Sequence, residues 1–255
     1  MIRAVRMVQR NALVYRHVWR GSVFSSFLQP TLFLLAMGLG LGAMVDAGGA
    51  ALPGGASYAE FLGPGLLAAA AMQVAGFEST YPVLGRIMWF HNYEAIMATP
   101  MRVSDLVIGE LAWLALRLTT NATAFVLVMT AFGIPRSPLV ILAIPAAVLT
   151  GLAFAAPIIA YTATLKHSNP FNVLFRFVIT PLFLFSGVFF PISRLPEPLA
   201  RAAWFTPLFH GVQLVRGFAL DAVPPAWPIH LACLTALVVA GIAMAQRTFR
   251  RRLYS

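Results

Sequence analysis

The sequence predicts an all-α integral membrane fold with six transmembrane helices, and three observations carry that prediction. Of the 255 residues, 60% are apolar and only 10% charged, against about 45–50% and about 25% in soluble domains; so few charges cannot coat a water-facing globule. The apolar residues fall into long uncharged runs near the ~20 residues a helix needs to cross the hydrocarbon layer. The net charge of +10 sits in Arg-rich flanks, as basic residues do beside anionic membrane surfaces. Nothing in the chain resembles a domain that would bind nucleic acid, and the lone Cys233 excludes an intramolecular disulfide or a cysteine-based metal cluster.

The first element, over 1–22, is an amphipathic interfacial helix. Val5, Val8, Ala12, Tyr15 and Trp19 recur at spacings of three and four, with Arg3, Arg6, Arg10 and His17 opposite. Such a helix lies in the headgroup layer, either as an anchor or as a docking surface for a soluble subunit. Five arginines over a twenty-residue lead are too many and too spread for the basic region of a cleavable signal. Six spans follow in a single membrane domain over 23–255: 27–45, 61–81, 106–132, 139–165, 174–190 and 229–245, the last two short. The Gly-rich run over 47–55, Pro82, Pro100, Pro135 with Pro138, Asn169-Pro170 and the Pro-rich 191–198 mark the connections.

Basic residues near the span ends set the orientation. One side collects Arg3, Arg6, Arg10, Arg16, Arg20, Arg86, Arg102, Lys166, Arg247, Arg250, Arg251 and Arg252; the other has Arg136, Arg194, Arg201 and Arg216. Twelve against four places both termini in the cytoplasm.

Between the second and third spans, Trp89, Phe90, Tyr93, Ile96 and Met97 share one helical face over 85–100, with His91 and Glu94 off it and Pro100 as a stop; Ser104 or Asp105 can cap the next helix. This stripe needs the bilayer, neighbouring spans or a partner protein to cover it, and Trp and Tyr are typical interface anchors. On the outer side, the stretch 204–214 is too short and interrupted to span, and reads as a re-entrant element before the last span. It either closes the exit of a pathway, with Phe189, Phe190, Pro191, Pro207 and His210 as the outer gate, or is an interfacial loop anchored by Trp204.

Few ionisable groups lie within spans: Glu78, Glu110 and Arg117, with Gln73, Thr120 and Asn121 adding polarity at similar depth. A charge in lipid costs at least about 2.5–3.5 kcal/mol, so each needs a partner or water. Glu78 and Glu110 can pair with Lys166 or Arg176. Gln73, Glu78, Glu110, Arg117 and Asn121 are also the candidates for a polar patch along a substrate path. No phosphate-loop, zinc-protease or nucleophile-elbow motif occurs, and the five histidines are scattered. An intramembrane enzyme is poorly supported.

Two stretches resemble the ABC-2 type permeases, nearest their nodulation-factor exporter branch and beside the daunorubicin-resistance permeases. One is Trp89 to Pro100 followed by Arg102, the run from Asp105 to Glu110, and Trp113. The other is Ser186 to Ile192 with Leu195-Pro196, Thr206-Pro207-Leu208 and Val215-Arg216. The resemblance implies the permease subunit of a bacterial inner-membrane exporter, acting as a dimer (a homodimer) in contact with lipid. No cofactor sits in this chain; ATP and Mg belong to a separate ATP-binding-cassette subunit. It makes the first amphipathic helix, with Arg3, Arg6, Arg10, Tyr15 and Trp19, a connecting helix, and Arg86, Trp89, Phe90, Tyr93, Glu94 and Met97 the ATPase-coupling element. Several members carry a more charged coupling segment, whereas Trp89, Phe90 and His91 dominate here and imply a more apolar contact. The expected function is ATP-driven export of an amphipathic molecule: a lipo-oligosaccharide, glycolipid or hydrophobic drug. The alternative is a secondary transporter or channel without an ATPase, which would not need two cytoplasmic amphipathic helices.

Overall fold

Breakers divide the apolar runs into helices much where the sequence places them. A computed structural model describes residues 2–17, 19–48, 52 and 55–254, and every regular element among them is helical. Apart from a short 3-10 turn at Ile192–Arg194, these are in order α1 (Ile2–Tyr15), α2 (Trp19–Ala47), α3 (Tyr58–Glu78), α4 (Tyr81–Met88), α5 (Asn92–Met97), α6 (Val103–Ala131), α7 (Val140–Thr162), α8 (Pro170–Phe185), α9 (Glu197–Trp204), α10 (Pro207–Ala219) and α11 (Trp227–Leu253). The Gly-rich connector falls largely outside the described residues, as does the side chain of Arg3.

Among the described residues, five units are long and apolar enough to cross a membrane: α2, α3 continued by α4, α6, α7 and α11. The expected fifth span over 174–190 is represented by α8, which stops at Phe185. Sixteen residues at about 1.5 Å each reach about 24 Å, short of the ~30 Å hydrocarbon layer. The last helix is longer than expected, running through Arg247 to Leu253.

Local chemistry explains the ends. Ser57 caps α3 in a reciprocal box: its hydroxyl accepts from the Glu60 amide, and Glu60 accepts from the Ser57 amide at 2.7 Å. Glu60 also holds Arg136 at 2.6 Å, and the Arg136 amide donates to Ala219, so α3, α10 and the α6–α7 turn meet at one end of the bundle. α6 begins at Val103 with Arg102 in the cap position, ahead of the expected Ser104 or Asp105, and Asp105 in its first turn accepts from the Arg102 amide. Where the chain breaks between α3 and α4, the Ser79 carbonyl accepts from Thr162 of α7 at 2.9 Å.

The core centres on α7, which packs against α3, α6, α10 and α11. Small residues permit this close packing, as at helix interfaces in lipid. At Gly241 a Cβ would lie 2.7 Å from Ala156 Cβ and Pro157 Cδ. Gly241→Leu is therefore expected to destabilise the bundle by roughly 1–3 kcal/mol or more through overpacking, whereas Gly21→Ala, which meets nothing within 4 Å, should be near neutral. Unfolding midpoints of the two purified variants in detergent check this.

The N-terminal helix corrects the stripe assigned to it. It ends at Tyr15, and Trp19 begins α2. Val5 and Ala12 are exposed, while Met7 and Asn11 are buried and Tyr15 is half-buried. Tyr15 packs edge-on against Trp113 of α6 at 5.7 Å and lies under the Arg117 guanidinium at 4.8 Å. In a lipid setting apolar side chains gain as much from acyl chains as from protein, so specific contacts with α6, rather than the apolar stripe, decide which face turns inward.

Candidate functional site

α2, α3, α6 and α8 enclose a cleft of about 610 Å³. Gln29 of α2, Gln73 and Glu78 of α3, Arg117 of α6 and Thr180 of α8 give it polarity, and Phe77, Phe175 and Phe183 give it an aromatic wall. Glu78 and Arg117 form an ion pair at 2.9 Å, each about one-fifth exposed. This replaces the expected pairing of Glu78 with Lys166 or Arg176. Asn121, one turn along from Arg117, donates to the Ser26 hydroxyl of α2 at 3.3 Å. Four expected path residues, Gln73, Glu78, Arg117 and Asn121, thus gather around one region.

Glu110, the fifth, belongs elsewhere. Its carboxylate accepts from Arg86 of α4 at 2.5 Å and from the Tyr93 hydroxyl of α5 at 2.9 Å. It too is not paired with Lys166 or Arg176. Glu110 is 5% exposed and Tyr93 fully buried. The Tyr93 ring also packs edge-on against Phe249 of α11 at 5.6 Å. Burial and then the neighbouring carboxylate charge hold the phenol well above its ordinary pKa, so it remains a proton donor. The latch ties α4, α5, α6 and α11 together near the end of the bundle opposite Glu60.

This geometry corrects the single amphipathic helix expected over 85–100. α4 ends at Met88, His91 takes a left-handed conformation (φ 47°), and α5 restarts at Asn92. The helical period is interrupted, so the stripe is split. Tyr93 turns inward, Ile96 and Met97 are half-buried, and Trp89 and Phe90 stand 64% and 68% exposed. Gly85 leaves room for Trp89, whose ring a Cβ would meet at 3.3 Å. Exposed Glu94 bonds His91 at 3.1 Å.

At the Glu60 end, the turn after α8 passes through Gly187 at φ +81°, a conformation that favours glycine. Arg216 of α10 holds this turn, donating to Gly187 O at 2.9 Å and Phe61 O at 3.1 Å, with its guanidinium 3.8 Å over the Phe61 ring. Thr206 accepts from the Phe209 amide and bonds Ser186, and Pro207 opens α10. Of the expected gate residues, Phe189, Phe190 and Pro191 are half-buried, with Phe189 stacked edge-on against Phe183. His210 is buried, its Nδ1 2.7 Å from Nδ1 of His230; at that distance one ring donates and the other accepts. Gln29, Thr180 and Arg216 were missed as site residues. Gln29, a lone amide beside Pro30 in an apolar run, was the available signal.

Comparison with known proteins agrees with this architecture. The family model for the ABC-2 type transporter matches residues 4–220. The chain is 32% identical to nodulation protein J of Rhizobium leguminosarum bv. trifolii over 96% of its own length and 92% of that protein's. It is 31% identical to the proteins of that name from Rhizobium meliloti (strain 1021) and Bradyrhizobium diazoefficiens, with the same coverage. A multi-pass helical chain matched over most of its length by this family model is a membrane transport component, and it belongs to the ABC-2 type transporter family.

Proposed function

We propose that the chain is the permease subunit of an ATP-driven exporter for an amphipathic molecule in a bacterial inner membrane. The observation that carries this reading is the cleft itself, where an ion pair and two amides face an aromatic wall, a surface suited to a polar group joined to an apolar one. Likeness to nodulation proteins favours a lipo-oligosaccharide or related glycolipid over a hydrophobic drug. A second copy of the chain completes the path against α2 and α8, whose exposed Phe24, Leu32 and Phe177 would otherwise face lipid. ATP and Mg are held by a separate ATP-binding-cassette chain. α8, helped by the turn that follows it, provides the sixth crossing, which places the Arg-rich ends of α1 and α11 together in the cytoplasm. The cycle is alternating access, in which closure of the ATPase moves α1 and the 85–100 segment and reopens the cleft on the far side.

The test is reconstitution with the partner ATPase in liposomes and transport of a fluorescent lipid-linked oligosaccharide. Transport should require ATP and stop when the phosphate-loop lysine of the ATPase is replaced. Transport driven by an ion gradient alone would overturn the reading. Reporter fusions after Ser137 and at the C-terminus should read outside and inside respectively; the reverse would overturn the orientation. Arg117→Leu leaves the Glu78 carboxylate unpaired, a buried-charge penalty of several kcal/mol, and should reduce transport at least about tenfold. Arg117→Lys keeps the charge and should retain a measurable rate.

A further inference from the structure

α1 covers a second pocket of about 360 Å³ against α4 and α6, which shares Glu78 and Arg117 with the cleft. Arg10, Asn11, Arg86, Asn92, Arg117 and the Glu78 carboxylate supply its polar groups, and Tyr15, Phe90 and Trp113 its aromatic wall. Arg86 is neutralised by Glu110 and Arg117 by Glu78. Arg10 has no carboxylate within ion-pair distance among the described residues, so the pocket keeps a positive charge. Two donors there are also unsatisfied: Nη1 of Arg10 and Nδ2 of Asn11 are both buried without an acceptor, and Asn11 as a whole is 5% exposed. An unpaired buried donor costs about 1–3 kcal/mol. Neighbouring residues on one helix carrying two such donors, one of them cationic, suit a single ligand rich in acceptor oxygens. Val14 of the same helix, 64% exposed, lines the pocket and continues the site as an apolar rim.

We infer that this pocket binds the phosphate group of an anionic amphiphile, with Arg10 supplying the charge and the Asn11 amide an orienting hydrogen bond. The chemistry is shared by a membrane phospholipid headgroup and a free phosphate. The lipid source rests on the proposed position of α1 at the membrane surface; the phosphate site does not, and neither depends on what the cleft carries.

The experiment uses the purified full chain in detergent and counts bound lipid by native mass spectrometry after exposure to equal phosphatidylglycerol and phosphatidylcholine. The parent should retain phosphatidylglycerol at least about tenfold in preference, the effect of one charge-assisted hydrogen bond. Asn11→Asp is nearly isosteric, can pair with Arg10 and so keeps the fold, yet repels phosphate; it should abolish the preference. Arg10→Lys should give an intermediate value, and Arg16→Gln, at the exposed end of α1, should match the parent. Resistance of the bound lipid to millimolar inorganic phosphate assigns the headgroup as occupant, and displacement by it assigns a free phosphate; either supports the site. Equal retention of the two lipids by the parent, or undiminished preference in Asn11→Asp, would show that water alone serves these donors and would overturn the inference.

Discussion

Replacing Glu110 with leucine is expected to cost about 3–5 kcal/mol, the penalty for removing one partner of a buried ion pair. For a chain of this size that corresponds to a fall of roughly 10 °C in the unfolding midpoint. Both Arg86 and the Tyr93 hydroxyl depend on this carboxylate, so its loss strands a cation and a phenol together. The triple variant Arg86→Met, Glu110→Leu, Tyr93→Phe removes every member of the latch, and replacing a whole buried pair by apolar groups is often neutral or stabilising. It should therefore recover most of the lost midpoint. If the latch also transmits movement from α5 to α6 and α11, the triple variant will be stable but slow in transport. A triple variant as unstable as Glu110→Leu would show that the three groups do not act as one unit.

The sequence makes the membrane class, the breaks and much of the cleft's composition legible, because these depend on local chemistry and depth. Ser57 with Glu60, Asp105 and Thr206-Pro207 signal helix starts wherever they occur, and the structure uses each. Position along a span can also be counted, and Gln73, Glu78, Arg117 and Asn121 lie near one another in the structure, whereas Glu110 does not join them. Rotation cannot be counted in the same way. In water an apolar stripe marks the inward face, but α3 is buried around most of its circumference and lipid solvates the apolar sides of the others. Depth therefore leaves the cation open, and the structure pairs Glu78 with Arg117 rather than with Lys166 or Arg176. The split of the 85–100 segment depends on His91 entering the left-handed region, which histidine adopts more readily than most residues but no simple period foretells. The inward turn of Tyr93 then follows from an acceptor on α6 seventeen positions away. The face of α1 has the same origin, since Trp113 and Arg117 choose Tyr15 as their neighbour.

That split withdraws Tyr93 from the expected ATPase contact and leaves Trp89 and Phe90 of the expected set exposed for it. Tyr93 is engaged with Glu110 and Phe249 and has no surface to offer, whereas the two aromatics before His91 stand out from the end of the bundle that carries Arg86. If that end faces the cytoplasm, as the Arg-rich ends of the chain favour, two large exposed apolar rings there need a partner surface. Burying a large side chain contributes roughly 1.5–3 kcal/mol, so Trp89→Ala with Phe90→Ala should weaken ATPase association by roughly a hundredfold or more. Glu94→Arg, a charge change at the exposed rim of the same patch, should act mainly on specificity and association rate. Tyr93→Phe supplies the contrast: it removes one hydrogen bond to Glu110, lowering stability by about 1–3 kcal/mol, while the folded protein binds the ATPase as the parent does. Co-purification and stimulated ATP hydrolysis of the four proteins in lipid separate these effects. Association and stimulation unchanged in the Trp89, Phe90 double variant would leave these rings as a membrane-surface anchor and place the coupling contact elsewhere.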